Sequence, residues 1–138
     1  MEYVKTADGF GALPQKNVDF GGGLERIVAA INSNPDVFKI DVFKPMIQEI
    51  ERVTHKKYGD NEYAFRIILD HMRAAIFLLG DGVKPSNKDQ GYFVRRLIRR
   101  AALKANTLSG PNFFTLGVLA HMVANSYGDQ YPVLRERV

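Results

Sequence analysis

The sequence predicts a mainly α protein, an N-terminal β-hairpin followed by a bundle of about five helices. Three observations carry that reading. Runs of β-prone residues are confined to the first twenty positions, apolar residues from Leu24 onward recur at helical spacing, and clusters of Gly, Pro, Asn and Ser punctuate the helical stretches. With 138 residues, 46% of them hydrophobic and 25% charged, the chain has the make-up of a globular domain, or of a piece of a larger one, able to bury a core.

Met1–Lys5 and Lys16–Phe20 read as the two strands, joined across Asp8, Gly9, Gly11 and Leu13-Pro14. Gly21-Gly22-Gly23 breaks the second strand. Leu24, Ile27, Val28 and Ile31 then mark a helix that Asn32-Ser33-Asn34-Pro35 stops. A second helix is expected over about Val42–His55, ending before Tyr58-Gly59-Asp60. The third, Glu62–Leu79, is apolar on so many sides that it must be the central one, with Gly80-Asp81-Gly82 closing it. A basic helix follows over about Gln90–Thr107, and Ser109-Gly110-Pro111 separates it from an apolar helix containing Phe114, Leu116, Val118, Leu119, Met122 and Val123. Tyr131-Pro132 opens a last segment in which Leu134–Val138 reads as a helix without a terminal cap.

The net charge of +4 is concentrated. Lys84–Lys104 holds seven Lys or Arg and one acid, Asp89, so this stretch carries +6 and the remainder about −2. On a helix with about 100° per residue, Arg95, Arg96, Arg99 and Arg100 fall within an arc of roughly 140°, with Val94, Leu97, Ile98, Ala101 and Ala102 on the other side. Clustered arginines favour a polyanionic partner, nucleic acid before membrane. No apolar run approaches the length of a transmembrane helix, and no charged-then-apolar signal peptide pattern is present. The absence of cysteine excludes disulfides and thiolate metal sites and suits a cytoplasmic protein.

Each motif has a functional and a structural reading. Glycines before a helix let backbone approach a ligand, and Arg26 in the first turn could hold a phosphate; alternatively Gly21–Gly23 is only a tight turn and Arg26 is solvated or paired. Asn87 with Gln90 three residues later has the shape of a capping box variant, but an amide at that place could also read base edges. The four arginines either contact phosphate or pair with acids such as Asp70 or Glu49. His55, His71 and His121 share no ligand spacing, so no metal is expected. Asp70, His71 and Arg73 read better as a polar cluster fixing helix register than as a catalytic group.

Taken together, the motifs resemble alanyl-tRNA synthetase over essentially the whole chain. Asn17–Ile27 (NVDFGGGLERI) is similar to motif 3 of its class II catalytic domain. Asp70–Ala75 (DHMRAA), Asp81–Asn87 (DGVKPSN) and Gly91–Ala101 (GYFVRRLIRRA) are similar to signatures of the helical tRNA-recognition region that follows. The resemblance implies that the hairpin belongs to a class II synthetase sheet. It divides the chain into 1–34, the end of the aminoacylation domain, and 35–138, part of the tRNA-recognition domain.

The family joins alanine to its tRNA through an alanyl-adenylate made from ATP with Mg²⁺. By resemblance Asp19 would hold the α-ammonium group of alanine, Gly21 and Gly23 would lie against substrate and adenylate, and Arg26 would contact ATP phosphate as the catalytic arginine. Asn87 would read the G·U pair of the acceptor stem, while Arg95, Arg96, Arg99 and Arg100 would grip or orient the stem backbone. Phe20 and Gly22 depart from the motif, which more often has threonine and a bulkier residue there. The resemblance also implies a middle piece of a longer enzyme, whose other parts would be its partners. This stretch alone is expected to bind no ATP or Mg²⁺ and to make no adenylate, because the donors of the site must act together. The rival expectations are a stand-alone helical RNA-binding module or split subunit, and a helical domain whose basic face meets an acidic protein.

Overall fold

The hairpin forms, but with a different second strand. In the computed structural model, which describes residues 2–15, 17–18, 20–110 and 116–137, β1 (Tyr3–Thr6) pairs antiparallel with β2 (Gly9–Ala12). The register sets Tyr3 opposite Ala12 and Thr6 opposite Gly9. Leu13 donates its N–H to Glu2 O at 2.8 Å beyond the strand ends. Asn17, Val18 and Phe20 are not in a strand. The two-residue turn at Ala7-Asp8 closes a far shorter loop than pairing with 16–20 would. Gly9 supplies the positive φ (138°) at the corner, and Thr6 Oγ1 caps it by donating to Gly9 O at 3.1 Å.

The chain divides into two compact units, Met1–Val37 and Phe38–Val138. The first holds the hairpin and α1 (Leu24–Ile31), which starts from Gly23 and stops at Asn32. Ser33 takes a left-handed turn there (φ 51°) and Asn34 returns its N–H to Ala29 O. Asn34 Oδ1 then accepts from the Asp36 N–H at 3.0 Å, so the Asn-Ser-Asn-Pro run ends the helix as its composition suggests.

The second unit is a helical bundle around α3. It contains α2 (Lys44–Thr54), α3 (Glu62–Gly80), α4 (Asp89–Ser109), α5 (Leu116–Tyr127) and α6 (Val133–Arg137), with a short 3₁₀ turn at Tyr58–Asp60; another, Val37–Lys39, spans the boundary between the units. α2 begins two residues later than its pattern suggests, with Pro45 in its first turn and the left-handed His55 (φ 56°) at its end. α3 packs against α2, α4, α5 and α6 and buries Phe65, Ile68, Leu69, Met72, Ala75 and Ile76, so it is the central helix its composition predicts. Met46 and Ile50 of α2, Val94, Ala101 and Ala105 of α4, Leu119 and Val123 of α5 and Leu134 of α6 join them in the core, as do Ile40 and Phe43 ahead of α2. α6 is the short helix read over Leu134–Val138, and it starts one residue earlier, at Val133. It crosses the end of α3 so closely that Arg137 Nη1 donates to Gly80 O at 2.8 Å, and a Cβ on Gly80 would lie 2.5 Å from Leu134 Cδ2. Phe114 and Val138 lie outside the described residues. No described helix is long and apolar enough to cross a membrane.

Glu51 ties α2 to the turn that follows. Its carboxylate accepts the Tyr58 N–H at 2.9 Å and pairs with Lys57 Nζ at 3.3 Å, and these bonds hold its pKa below the ordinary 4.5. A carboxyl depressed in the folded state stabilises above its unfolded pKa and loses that contribution as pH falls through the folded value. Chemical denaturation from pH 6 down to pH 2 is therefore expected to show stability falling from about 4.5 downward. Glu51→Gln should make that acid limb shallower, with the denaturation midpoint as the measurement.

Candidate nucleic-acid interface

The packing of α4 decides which of its residues face water. Gly91, Val94, Ala101, Ala105 and Leu108 are buried, and the helix makes its most extensive contact with α3. That stripe turns Arg95, Arg96, Arg99 and Arg100 outward, and all four are exposed. The acids that could have neutralised them are engaged elsewhere. Glu49 binds Arg52 through two bonds, 2.8 and 2.7 Å, and Asp70 pairs with His71 at 3.3 Å. Among the described residues Arg96, Arg99 and Arg100 have no ion pair or hydrogen bond, and Arg95 meets only Asn87.

Together with Tyr92, Ala102, Leu103 and Asn106 the arginines line an open groove of about 690 Å³. Tyr92 is 47% exposed and Leu103 60%. At about 100° per residue they stand roughly 60° and 80° round from Arg95, inside the basic arc. The surface is therefore a mixed one, apolar along its middle and guanidinium at its sides. Phe93, 58% exposed, extends it, with its ring 6.2 Å from that of Tyr92. Sequence reasoning had not placed Tyr92, Phe93 and Leu103 at a site, although the same helical wheel that gathered the arginines locates Tyr92 and Leu103 among them.

Asn87 stands at the head of this face, and it is not a helix cap. The N-cap position of α4 is Lys88, which makes no side-chain capping bond, and Asn87 Oδ1 accepts from Arg95 Nη1 instead. The capping reading fails because the chain between Lys84 and Asp89 is fastened by other atoms. Ser86 donates its N–H to Gly91 O at 3.0 Å, and its hydroxyl donates to Lys88 O at 2.8 Å. The backbone comes so near α4 that a Cβ on Gly91 would lie 2.4 Å from Lys84 O and from Ser86 Oγ. The strap holds Asn87 exposed beside the arginines.

The glycine motif lies in the first unit. Gly23 is the N-cap of α1, and Arg26, the third residue of that helix, is exposed with its stem folded back over Gly23. Nothing lies within 4 Å of a Cβ built on Gly21, and none of the three glycines has a positive φ, so the fold itself does not require glycine at 21. A Cβ on Gly22 would lie 3.1 Å from the Phe20 ring, so the two departures from the motif sit against each other. Asp19 lies outside the described residues. On α3, Asp70 and His71 are neighbours, while the Arg73 guanidinium sits 5.7 Å from the centre of the Phe43 ring, so the three do not converge.

The family model for tRNA synthetases class II (A) matches residues 2–138, and the chain belongs to that family. Within the class its similarity is to alanine–tRNA ligases. It is 43% identical over 123 residues to that of Pediococcus pentosaceus, covering 87% of this chain and 14% of the relative. Against that of Oceanobacillus iheyensis the identity is 42% over 132 residues, 94% of this chain and 15% of the relative. Against that of Thermobifida fusca it is 38% over 128 residues, 91% and 14%. The resemblance to alanyl-tRNA synthetase read from the motifs thus holds over most of the chain, which spans about one-seventh of the length of these curated relatives.

Gly91→Ala should cost about 1–3 kcal/mol, the usual penalty for forcing a methyl into a filled space. Urea denaturation measures it. An unchanged midpoint would mean that the strap over α4 shifts without loss.

Proposed function

We infer that this chain contributes to the ATP-dependent attachment of alanine to its tRNA, and that its α4 face holds the acceptor stem. The observation that carries this reading is the exposed arginine face with no acid paired to it among the described residues. A-form RNA offers a wide, shallow minor groove flanked by phosphates, which suits backbone contacts from the arginine face, Arg96, Arg99 and Arg100 foremost, and a base-edge contact from the Asn87 amide. Residues 35–138 then belong to a tRNA-recognition domain and 1–34 to the end of an aminoacylation domain.

In the first unit, Arg26 contacts ATP phosphate and stabilises charge as the adenylate forms. The open space at Gly21, which no side chain of the described fold fills, supports close approach of a substrate there. Asp19 holds the α-ammonium group of alanine by charge pairing. No group of three or more His, Asp or Glu among the described residues is arranged to hold a metal ion, so no step is assigned to Mg²⁺ on these residues. Motif 3 acts with the rest of an assembled ATP site, and a cytoplasmic location follows from the same reading.

Titration of the chain with an alanine acceptor-stem hairpin at several salt concentrations tests the grip. Log affinity should fall linearly with log salt, with a slope of about −2 to −4 for three or four neutralised phosphates. Arg99→Gln should reduce that slope by about one. Binding with no salt slope would remove the phosphate contacts and favour a partner of another kind. Exchanging the G·U pair for G·C should weaken binding about tenfold through one lost base contact, and Asn87→Ala should abolish the difference. Equal affinity for the two stems would leave Asn87 without a reading role.

A further inference from the structure

We propose that Arg95 is a positioning residue that locks the orientation of the Asn87 amide, rather than one of the phosphate contacts. The inference rests on the acceptor-stem reading above and separates Arg95 from the three other arginines of the face.

The backbone on both sides of Asn87 is already fixed. Ser86 is bonded to Gly91 and Lys88, and Gly91 lacks the Cβ that would push the strap away. The freedom left to Asn87 is rotation of its own side chain. An asparagine amide has an acceptor end and a donor end of nearly the same shape, so an exposed one turns over readily and distinguishes base edges poorly. The Arg95 guanidinium removes that ambiguity. It carries only donors, so it can bind the carbonyl oxygen of Asn87 and disfavours the flipped amide, whose N–H groups would face its own. The Asn87 Nδ2 group has no partner among the described residues, and the carbonyl keeps one lone pair. A base edge therefore meets donors and an acceptor in one fixed order, which is what discrimination between two base pairs requires.

Arg95 reaches Asn87 from the second turn of α4, while Arg96, Arg99 and Arg100 bind no side chain among the described residues. Positioning and gripping consequently predict opposite behaviour in two measurements. The chain and its Arg95→Gln, Arg95→Lys, Asn87→Ala and Asn87→Ala/Arg95→Gln variants would be titrated with the G·U and G·C acceptor-stem hairpins at several salt concentrations. Arg99→Gln serves as the comparison, and circular dichroism confirms equal helix content.

For Arg95→Gln the expected result is loss of most of the preference for G·U, about tenfold in the parent, with the salt slope unchanged. Arg95→Lys keeps the charge but loses the planar fork and should also lose preference. In the double variant, Arg95→Gln should alter the preference no further than Asn87→Ala does alone, since both act through one amide. A salt slope that falls by about one in Arg95→Gln with the preference intact would overturn the proposal and return Arg95 to the phosphate grip. A parent chain that shows no preference, or no binding, would overturn the acceptor-stem reading itself, and the proposal with it. The two failures are thus told apart by whether the parent discriminates.

Discussion

The packing of α4 on α3 is the constraint from which the surface chemistry follows. α3 is enclosed by four helices, and the inward stripe of α4 runs through Gly91, Val94, Ala101, Ala105 and Leu108, of which Gly91, Ala101 and Ala105 are small enough to seat one helix near another. Turning α4 by a single residue, about 100°, would drive arginines toward the core, and an uncompensated buried charge costs several kcal/mol. The apolar side therefore fixes the rotation of the helix. The position of the basic arc is a consequence of the core, and a partner meets it already formed.

That arc is unfavourable for the isolated protein. Arg95 with Arg99 and Arg96 with Arg100 are like-charge pairs one turn apart, each costing a helix about 0.2–0.5 kcal/mol. The repulsion is small beside the burial of the opposite side, where fully enclosing one large aliphatic side chain contributes about 1.5–3 kcal/mol. The bundle tolerates the arc without local acids, and a phosphate backbone would relieve the repulsion. Tyr92 and Leu103 lie within the same arc, so the surface offers apolar area between its charges.

How far the chain could be read in advance depended on whether a feature is local. The apolar period from Glu62 placed α3 to within a residue of its ends, and the arginine spacing placed α4 to within two, because core-facing periodicity is set residue by residue. The second strand was misplaced because Gly9–Ala12, with two glycines, reads as loop. A hairpin ladder needs only backbone partners, and closing the short loop to the nearest run costs less chain entropy than reaching 16–20. Asn87 shows the same limit at the site. Its spacing to Gln90 fits a local cap, whereas its bond goes to Arg95 eight residues on, through a strap whose closeness depends on Gly91 lacking a side chain. The glycine motif was legible as a pattern, but that the space at Gly21 is open could be known only from the folded chain.

The two units expose different things, and this bears on how each behaves in solution. In α1, Leu24, Ile27 and Ile31 share one side of the helix and are 70%, 47% and 77% exposed, while the buried residue is Ala29 on another side. Water opposes such a face, and covering it would be favourable at about 25 cal/mol for each Å² removed from solvent. The second unit presents charge beside a few exposed apolar side chains such as Phe93 and Leu103, and it has a core of its own that includes Met46, Phe65, Ile68, Val94, Leu119 and Leu134. A unit with its own core can hold its shape independently of its neighbours. The arginine face and the Asn87 strap both lie in Phe38–Val138, so the recognition assigned to them draws its order from that core. Arg26, for which a phosphate contact is proposed, lies instead in the unit whose helix leaves its apolar side open.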